Sequence, residues 1–219
     1  MFQDDFLQRK KEVLSKLDKS SKKSWDKRIV GLCDKINTKK NYYTTSSCSG
    51  RVVLMLDSEK KSKDLFIWVS HDLIDFEEIK EVLKEIKLHS QAREINKIQL
   101  NNNHKLKSLK LINFKSIPRR WQIIKFKSEP CILHVACEKL EDAQNLLNKA
   151  KLAGWKKSGI IASGKRFVCE LNSTEKLEFP IVKDKNILVD DEFLELVIKK
   201  CNENLEKSWK KVEKLERIL

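Results

Sequence analysis

Glycine and proline are scarce in this 219-residue chain, which has five glycines and three prolines. The glycines form neither the G-x-G-x-x-G turn of a dinucleotide-binding fold nor the G-x-x-x-x-G-K-[ST] loop that cradles the phosphates of a nucleotide. The sequence therefore argues against both of these nucleotide-binding folds.

Cysteine and histidine lack the spacings of a metal site or a disulfide scaffold. No two of the six cysteines are separated by two residues as in a zinc knuckle, and none of the four histidines belongs to an H-E-x-x-H motif. Six cysteines spread over a chain of this length fit reduced thiols. We therefore expect no metal in this protein.

Long apolar runs are missing as well, because no apolar stretch reaches the length that spans a bilayer. The segment Met1–Phe6 carries two acidic residues at a place where a signal peptide is basic. These features predict a cytoplasmic protein with no membrane partner. They leave the oligomeric state open.

Positive charge is in excess, with 46 Lys and Arg against 32 Asp and Glu and a net charge of +14. Eleven of these cations lie between Lys87 and Lys127, where Glu94 is the single acid. A basic surface favours a polyanionic partner such as nucleic acid, because its side chains displace counterions from phosphates. Two interpretations of the segment stay open: contact with RNA through Arg119 and Arg120, or a solvated loop.

The spacing of apolar residues predicts an alternation of helices and strands. Periodic apolar residues indicate helices over residues 6–17, 29–36, 76–86, 138–152 and from about 190 to the end. Short runs rich in β-branched and aromatic residues indicate strands over residues 42–45, 51–56, 65–69, 121–126, 131–136, 159–162 and 166–171. The pattern is typical of an α/β or mixed α+β layered protein. We expect a single domain over residues 1–219, with a mixed sheet flanked by helices and a basic excursion at about residues 72–127.

One segment between two predicted strands is rich in hydroxyl groups. It runs from Thr44 to Arg51 and reads Thr-Thr-Ser-Ser-Cys-Ser-Gly-Arg. Its hydroxyls, the flexible Gly50 and the two-pronged Arg51 cation suit a polar or anionic ligand. The alternative is a serine-rich turn whose hydroxyls bond only to their own backbone.

Four motifs in the same order make this chain resemble the tRNA wybutosine-synthesizing protein 3 family. They are the stretch Asp18–Asp26 with an aspartate at each end, the hydroxyl-rich segment Thr44–Arg51, Val69–His71 and Glu129–Val135. The resemblance extends over nearly the whole chain outside residues 72–127. Three positions depart from the family's pattern, namely Lys23 in place of Gly, and Lys156 and Asn172 in place of Arg.

The resemblance implies a methyltransferase that uses S-adenosylmethionine and acts on phenylalanine tRNA. It implies that the methyl group goes to N4 of a tricyclic wybutosine intermediate, a modified guanosine beside the anticodon. It also implies a fold other than the Rossmann-type fold of most methyltransferases. Such an enzyme mainly positions donor and acceptor, and it removes a proton from the acceptor nitrogen.

The resemblance and the side-chain chemistry together give candidate site residues. Asp18 or Asp26 is the candidate base or orienting group, with His71 as its rival. The candidates for substrate binding are Ser46, Ser47, Ser49, Arg51, Arg119 and Arg120. The candidates for donor binding are Glu129 just before the strand at residues 132–136, Leu133 and His134 on the edge of that strand, and Ser158 and Gly159 in the turn at residues 158–160. The structural alternatives are helix N-caps for the two aspartates and a core position for His134.

Two other functions fit parts of the sequence. A non-catalytic tRNA-binding protein of the same fold would account for the three departures together with the basic segment. A hydrolase would use Ser47 or Cys48 as nucleophile with His71 or His134 as base, which requires nucleophile and base to meet in the fold.

Overall fold

The computed structural model describes residues 2–16, 26–59, 65–92, 123–184 and 186–219. Three predicted site residues, Asp18, Arg119 and Arg120, lie outside these ranges.

The chain divides into two units. Unit 1 comprises Met1–Gly50, Pro130–Glu175 and Asn204–Leu219, and unit 2 comprises Arg51–Glu129 and Lys176–Glu203. The single domain with an excursion at residues 72–127 stays a prediction.

Helices and strands alternate along the described part of the chain. The helices are α1 (Phe2–Leu14), α2 (Val30–Asn37), α3 (Phe76–Ala92), α4 (Leu140–Leu152) and α5 (Asp191–Ile218). The strands are β1 (Tyr42–Cys48), β2 (Arg51–Leu56), β3 (Phe66–Ser70), β4 (Ile124–Glu129), β5 (Ile132–Cys137), β6 (Gly159–Ala162), β7 (Phe167–Asn172), β8 (Leu177–Lys183) and β9 (Asn186–Ile187). Within the described residues, none of these helices is both long and apolar enough to cross a membrane.

Unit 1 is built around a four-stranded antiparallel sheet in the order β1-β5-β7-β6. Alternate residues of the central strand β5, Leu133, Val135 and Cys137, are fully buried in one core cluster. The same cluster takes apolar residues at helical spacing from α2, α4 and the end of α5: Leu32, Cys33, Ile36, Leu146, Leu147, Ala150, Val212 and Leu215. Trp155 is fully buried, and its Nε1–H donates to the Lys211 carbonyl at 3.1 Å. Burial of this face fixes which residues of β5 point away from the core.

The opposite face of this sheet packs against α1 at one end. Phe6 of α1 contacts Tyr43 and Ala136, and the ring centroids of Phe6 and Tyr43 are 5.1 Å apart. Farther along the same face, the side chains of His134 and Glu170 are partly exposed. This face therefore carries a polar surface beside α1.

Unit 2 contains a five-stranded antiparallel sheet in the order β3-β2-β4-β8-β9. Strand β4 shows a strict alternation, in which the residues Ile124, Phe126 and Ser128 are buried and the residues Lys125, Lys127 and Glu129 are partly exposed. Phe126 stacks on Phe179 of β8 with ring centroids 5.5 Å apart. The alternation gives this sheet an apolar face and a charged face.

The mixed α+β class and the departure from a Rossmann-type fold are confirmed, because all strand pairs in the described residues are antiparallel. The single mixed sheet is wrong, since the described strands form two sheets. Strand β8 escaped prediction because it contains Pro180, and proline lacks the N–H that a central strand uses. The short strand β9 pairs with β8 only at Val182 and Lys183, so Pro180 has no ladder bond to lose on that side.

Candidate active site

A row of four paired residues crosses the open face of the unit 1 sheet. Ser46 on β1 pairs with His134 on β5, His134 pairs with Glu170 on β7, and Glu170 pairs with Gly159 on β6. Residues directly opposite each other on neighbouring strands point to the same face. The row therefore gathers a hydroxyl, an imidazole and a carboxylate from three distant segments of the chain.

His134 and Glu170 form the polar centre of this row. The His134 Nε2 atom lies 2.9 Å from the Glu170 Oε2 atom. Their side chains are 28% and 31% exposed, so a ligand on this face can reach them. An ionised carboxylate only accepts hydrogen bonds, so the neutral imidazole carries its hydrogen on Nε2 and keeps a lone pair on Nδ1. A carboxylate that orients an imidazole in this way is the arrangement of a general base.

A β-bulge in β1 places Ser46 in the row. The register between β1 and β5 shifts between Thr44 and Ser46, which leaves Thr45 as the extra residue. Thr44 is buried, and its N–H donates to the Asn37 Oδ1 atom at 2.8 Å. Without the bulge, strand alternation would turn Ser46 toward the same face as Thr44. Bulges commonly redirect one side chain next to a functional site.

Asp26 and Ser49 are joined by hydrogen bonds just beyond the end of β1. The Asp26 Oδ2 atom accepts from the Ser49 N–H at 3.2 Å and also from the Ser49 hydroxyl. Its Oδ1 atom accepts from the Arg28 N–H at 3.2 Å, and its carbonyl accepts from the Ile29 N–H at 3.0 Å. Asp26 therefore anchors the hydroxyl-rich segment to the turn that leads into α2. Asp26 is not the N-cap of α2, which is Ile29, so its carboxylate stabilises the preceding turn and not the helix end.

The turn before β6 combines open space with an unsatisfied acceptor. The Ser158 hydroxyl donates to the Trp155 carbonyl at 2.7 Å and accepts from the Asn172 N–H at 3.1 Å, so it closes the turn. A Cβ atom added at Gly159 would meet no heavy atom within 4 Å apart from its chain neighbours. The Asn172 Oδ1 atom is buried and has no hydrogen-bond partner among the described residues.

Three more predicted residues lie at one end of the unit 2 sheet. Arg51 on β2 pairs with Glu129 on β4, and the Arg51 Nε atom lies 2.6 Å from the Glu129 Oε2 atom. His71 directly follows Ser70, whose partner on β2 is Val52, so the strand register brings His71 to the same end of the sheet. A predicted substrate-binding cation and a predicted donor-binding carboxylate thus neutralise each other within unit 2.

The structure corrects several parts of the predicted site. Leu133 is fully buried in the core, so its side chain does not face a ligand. Strand β5 offers no free edge, because it pairs with β1 on one side and β7 on the other. Ser47 pairs with Leu133 and faces away from Ser46, and Ser49 is fully buried. Ser46 is the predicted serine that shares a face with His134.

Glu170 was absent from the predicted site, and Asn172 was named only as a departure from the family's pattern. Both lie on β7 on either side of the buried Leu171, so alternation alone indicates that they point to one face. Their position beside His134 depends on the pairing of β7 with β5. A single sequence carries no local signal for that pairing.

Comparison with known proteins gives matches that span both units. The family model described as Methyltransferase TYW3 matches residues 8–219. A protein of Thermococcus sibiricus, named tRNA(Phe) 7-((3-amino-3-carboxypropyl)-4-demethylwyosine(37)-N(4))-methyltransferase, is 32% identical over 213 residues, which cover 96% of this chain and 91% of the relative. The tRNA wybutosine-synthesizing protein 3 homolog of Danio rerio is 28% identical over 222 residues, which cover 99% of this chain and 75% of that protein. The solved structure of the PH1069 protein from Pyrococcus horikoshii has a TM-score of 0.75 at 28% identity and covers 99% of this chain and 94% of that one.

Proposed function

Because the chain belongs to the Methyltransferase TYW3 family, we propose that it transfers a methyl group from S-adenosylmethionine to a nucleoside of phenylalanine tRNA. The proposed acceptor is N4 of 7-(3-amino-3-carboxypropyl)-4-demethylwyosine at position 37, which is the substrate in the name of the Thermococcus sibiricus relative. The observation that carries the proposal is the family match over residues 8–219. That match confirms the resemblance predicted from the four ordered motifs. A tRNA substrate also favours the cytoplasm as the location.

The open face of the unit 1 sheet fits a donor of this kind. S-adenosylmethionine, when bound, supplies a methyl group whose bond to sulfur breaks as its bond to the acceptor nitrogen forms. The Glu170 carboxylate and the unsatisfied Asn172 Oδ1 atom are acceptors that suit an ammonium group or ribose hydroxyls. Gly159 leaves space beside them. We therefore assign donor binding to these three residues, in place of the Leu133 side chain.

We assign His134 as the base for the acceptor nitrogen. The nitrogen loses its proton as it gains the methyl group, and the His134 Nδ1 lone pair takes that proton. Glu170 holds the ring through Nε2 and stabilises the imidazolium that forms. The Ser46 hydroxyl, opposite His134 in the register, is placed to hold the substrate ring by a hydrogen bond.

Asp26 acts as a positioning residue in this proposal. Both of its carboxylate oxygens accept hydrogen bonds within the fold, from the Ser49 and Arg28 N–H groups and from the Ser49 hydroxyl. His71 remains the rival base, because it lies with the Arg51 and Glu129 pair at one end of the unit 2 sheet. The matched substitutions His134→Gln and His71→Gln separate the two.

The test uses tRNA from a strain that lacks this gene, together with labelled S-adenosylmethionine and mass analysis of the nucleosides. The wild-type protein should add one methyl group to the wybutosine precursor. His134→Gln should lower kcat by roughly 10²- to 10⁴-fold, the usual contribution of a general base, and His71→Gln should change kcat far less. The opposite order would move the base to His71 and contradict our assignment.

Calorimetry with the donor alone separates the methyltransferase from a non-catalytic tRNA-binding protein. We expect the wild-type protein to bind S-adenosylmethionine and Asn172→Ala to bind it more weakly. Binding of tRNA without any donor binding at millimolar donor would favour the non-catalytic alternative.

The hydrolase alternative requires a nucleophile and a base that meet in the fold. Ser47 and His134 cannot form such a pair, because their side chains point to opposite faces of the sheet.

A further inference from the structure

A guanidinium group in unit 1 has a buried donor atom with no acceptor in the described part of the chain. Arg166 lies in the turn between β6 and β7, directly before β7 begins at Phe167. Its Nε atom is buried and has no hydrogen-bond partner among the described residues. Guanidinium donates five N–H bonds and accepts none, and a buried donor left without an acceptor is costly. Such a group calls for an acceptor that the described residues do not provide.

A tyrosine hydroxyl and a second arginine lie beside this group. Tyr43 is fully buried, and no described group meets hydrogen-bond geometry at its hydroxyl. Burial raises the pKa of Tyr43, while the nearby positive charges of Arg166 and Arg9 and a side-chain contact from Arg9 to the hydroxyl lower it, and the acid Asp5 raises it again. Two guanidinium groups against one carboxylate leave the surroundings of this hydroxyl positive.

The strand register places Tyr43 near the proposed base and Arg166 farther along the same face. Tyr43 pairs with Ala136 on β5, and His134 lies two residues farther along the same strand, about 7 Å away at the rise of a β-strand. Tyr43 and His134 are both on the face opposite the core. On β7, Arg166 lies two residues beyond Val168, the partner of Ala136, and four residues, about 13 Å of strand, from Glu170. A substrate group that extends from His134 along this face therefore meets Tyr43 first and Arg166 beyond it.

We propose that Arg166 and Arg9, with the Tyr43 hydroxyl, form a binding site for an anionic group of the tRNA substrate. The proposal rests on the proposed function. Carboxylate and phosphate are the anions that guanidinium binds with two parallel hydrogen bonds. The substrate offers both, a carboxylate on its 3-amino-3-carboxypropyl arm and phosphates in its backbone.

The experiment compares Arg166→Gln with the control Lys165→Gln, which removes the same charge from the neighbouring position of the same turn. Each variant is assayed for tRNA binding by filter retention and for methyl transfer, on two tRNA substrates, one with the 3-amino-3-carboxypropyl arm and one without it. Loss of a charge-assisted hydrogen bond should raise Kd and KM by roughly 10- to 100-fold in Arg166→Gln and leave kcat nearly unchanged. Lys165→Gln should change either constant by less than about threefold.

The two tRNA substrates identify the anion. A carboxylate ligand predicts that Arg166→Gln weakens binding only of the tRNA that carries the arm. A phosphate ligand predicts weaker binding of both tRNAs and a smaller dependence of binding on salt, by about one unit of slope. Equal Kd values for Arg166→Gln and Lys165→Gln on both tRNAs would overturn the site.

Two further measurements distinguish loss of the anion site from a folding defect and from failure of the proposed function. If Arg166→Gln does not fold, Arg9→Gln decides in its place, because Arg9 lies on the exposed side of α1. An unchanged Kd in Arg9→Gln would then overturn the site. Failure of the wild-type protein to methylate tRNA would contradict the proposed function, whereas tRNA binding by the variants tests the anion site independently.

Discussion

Removal of the Asp26 carboxylate should destabilise unit 1 without removing the chemical base. In Asp26→Ala, the Ser49 N–H and hydroxyl lose the acceptor that they share. Ser49 is fully buried, so water cannot replace that acceptor. Each unsatisfied buried donor costs about 1–3 kcal/mol, so we expect the free energy of unfolding to fall by about 2–5 kcal/mol. The Arg28 N–H is exposed and finds water, so it adds little.

Urea unfolding followed by circular dichroism measures the loss, with Asp34→Ala as the matched control. Asp34 is an exposed aspartate on the neighbouring helix α2, so its removal should change the free energy of unfolding by less than about 0.5 kcal/mol. Ser49→Ala removes the hydroxyl alone and should cost about 1 kcal/mol. In the double variant Asp26→Ala with Ser49→Ala, the effects should not add, because the two side chains share one interaction.

Asp26→Asn distinguishes positioning from catalysis. The amide keeps an oxygen that accepts from Ser49 but cannot take a proton from the substrate. We expect a loss of about 1–2 kcal/mol in the free energy of unfolding and a fall in kcat of less than about tenfold. A kcat that drops by two orders of magnitude or more, at unchanged stability, would contradict a purely positioning role and make Asp26 the base.

Three more predictions follow from the charges and thiols. Burial opposes the charge of Glu178, but hydrogen bonds, the Lys127 bond foremost, outweigh it and lower its pKa from 4.5 to about 2. The pKa of Glu178 is lower in the folded than in the unfolded protein, so this stabilisation is present above about pH 4.5 and is lost as the pH falls toward 2. The urea midpoint of the wild-type protein should therefore fall more over that range than the urea midpoint of Glu178→Gln. Of the six cysteines only Cys48 is not buried, so one thiol should react quickly with a thiol reagent at pH 8 in the native protein, all six should react in urea, and Cys48→Ser should abolish the fast phase. Replacing both Arg119 and Arg120 by Ala should lower the slope of log K against log salt for tRNA binding by about 0.7–0.9 per lost phosphate contact, and an unchanged slope would favour the solvated loop.

Local features of the fold could be predicted from the sequence because they depend on neighbouring residues. Helix α4 is found at Leu140–Leu152, inside the predicted range of residues 138–152, since its apolar residues repeat at helical spacing. Strand β2 is found at Arg51–Leu56, as its β-branched run indicated. Strand β8 was missed because Pro180 is a local signal for the end of a strand. The short partner strand β9, which does not pair with Pro180, cannot be recognised from the residues around Pro180.

The candidate site was predictable in its residue types and not in its geometry. The motifs singled out Ser46 and His134, yet their pairing depends on a bulge at Thr45 and on a register between strands far apart in the chain. The same limit hid Glu170, which acquires its role only from the pairing of β7 with β5. The chemistry of a side chain can be read from a single position, whereas the register of a sheet depends on how the whole core packs.

The order of strands in the unit 1 sheet has a consequence for synthesis on the ribosome. Strand β1 ends at Cys48, and its partner β5 begins at Ile132, so the 83 residues from 49 to 131 are made while β1 has no partner. At the usual rate of translation this takes roughly 4–17 s. The row that contains Ser46, His134 and Glu170 is completed only after β7 has emerged. A chain released by interrupted translation before β5 is made therefore contains the hydroxyl-rich segment but lacks His134 and Glu170, the other side chains of the proposed site.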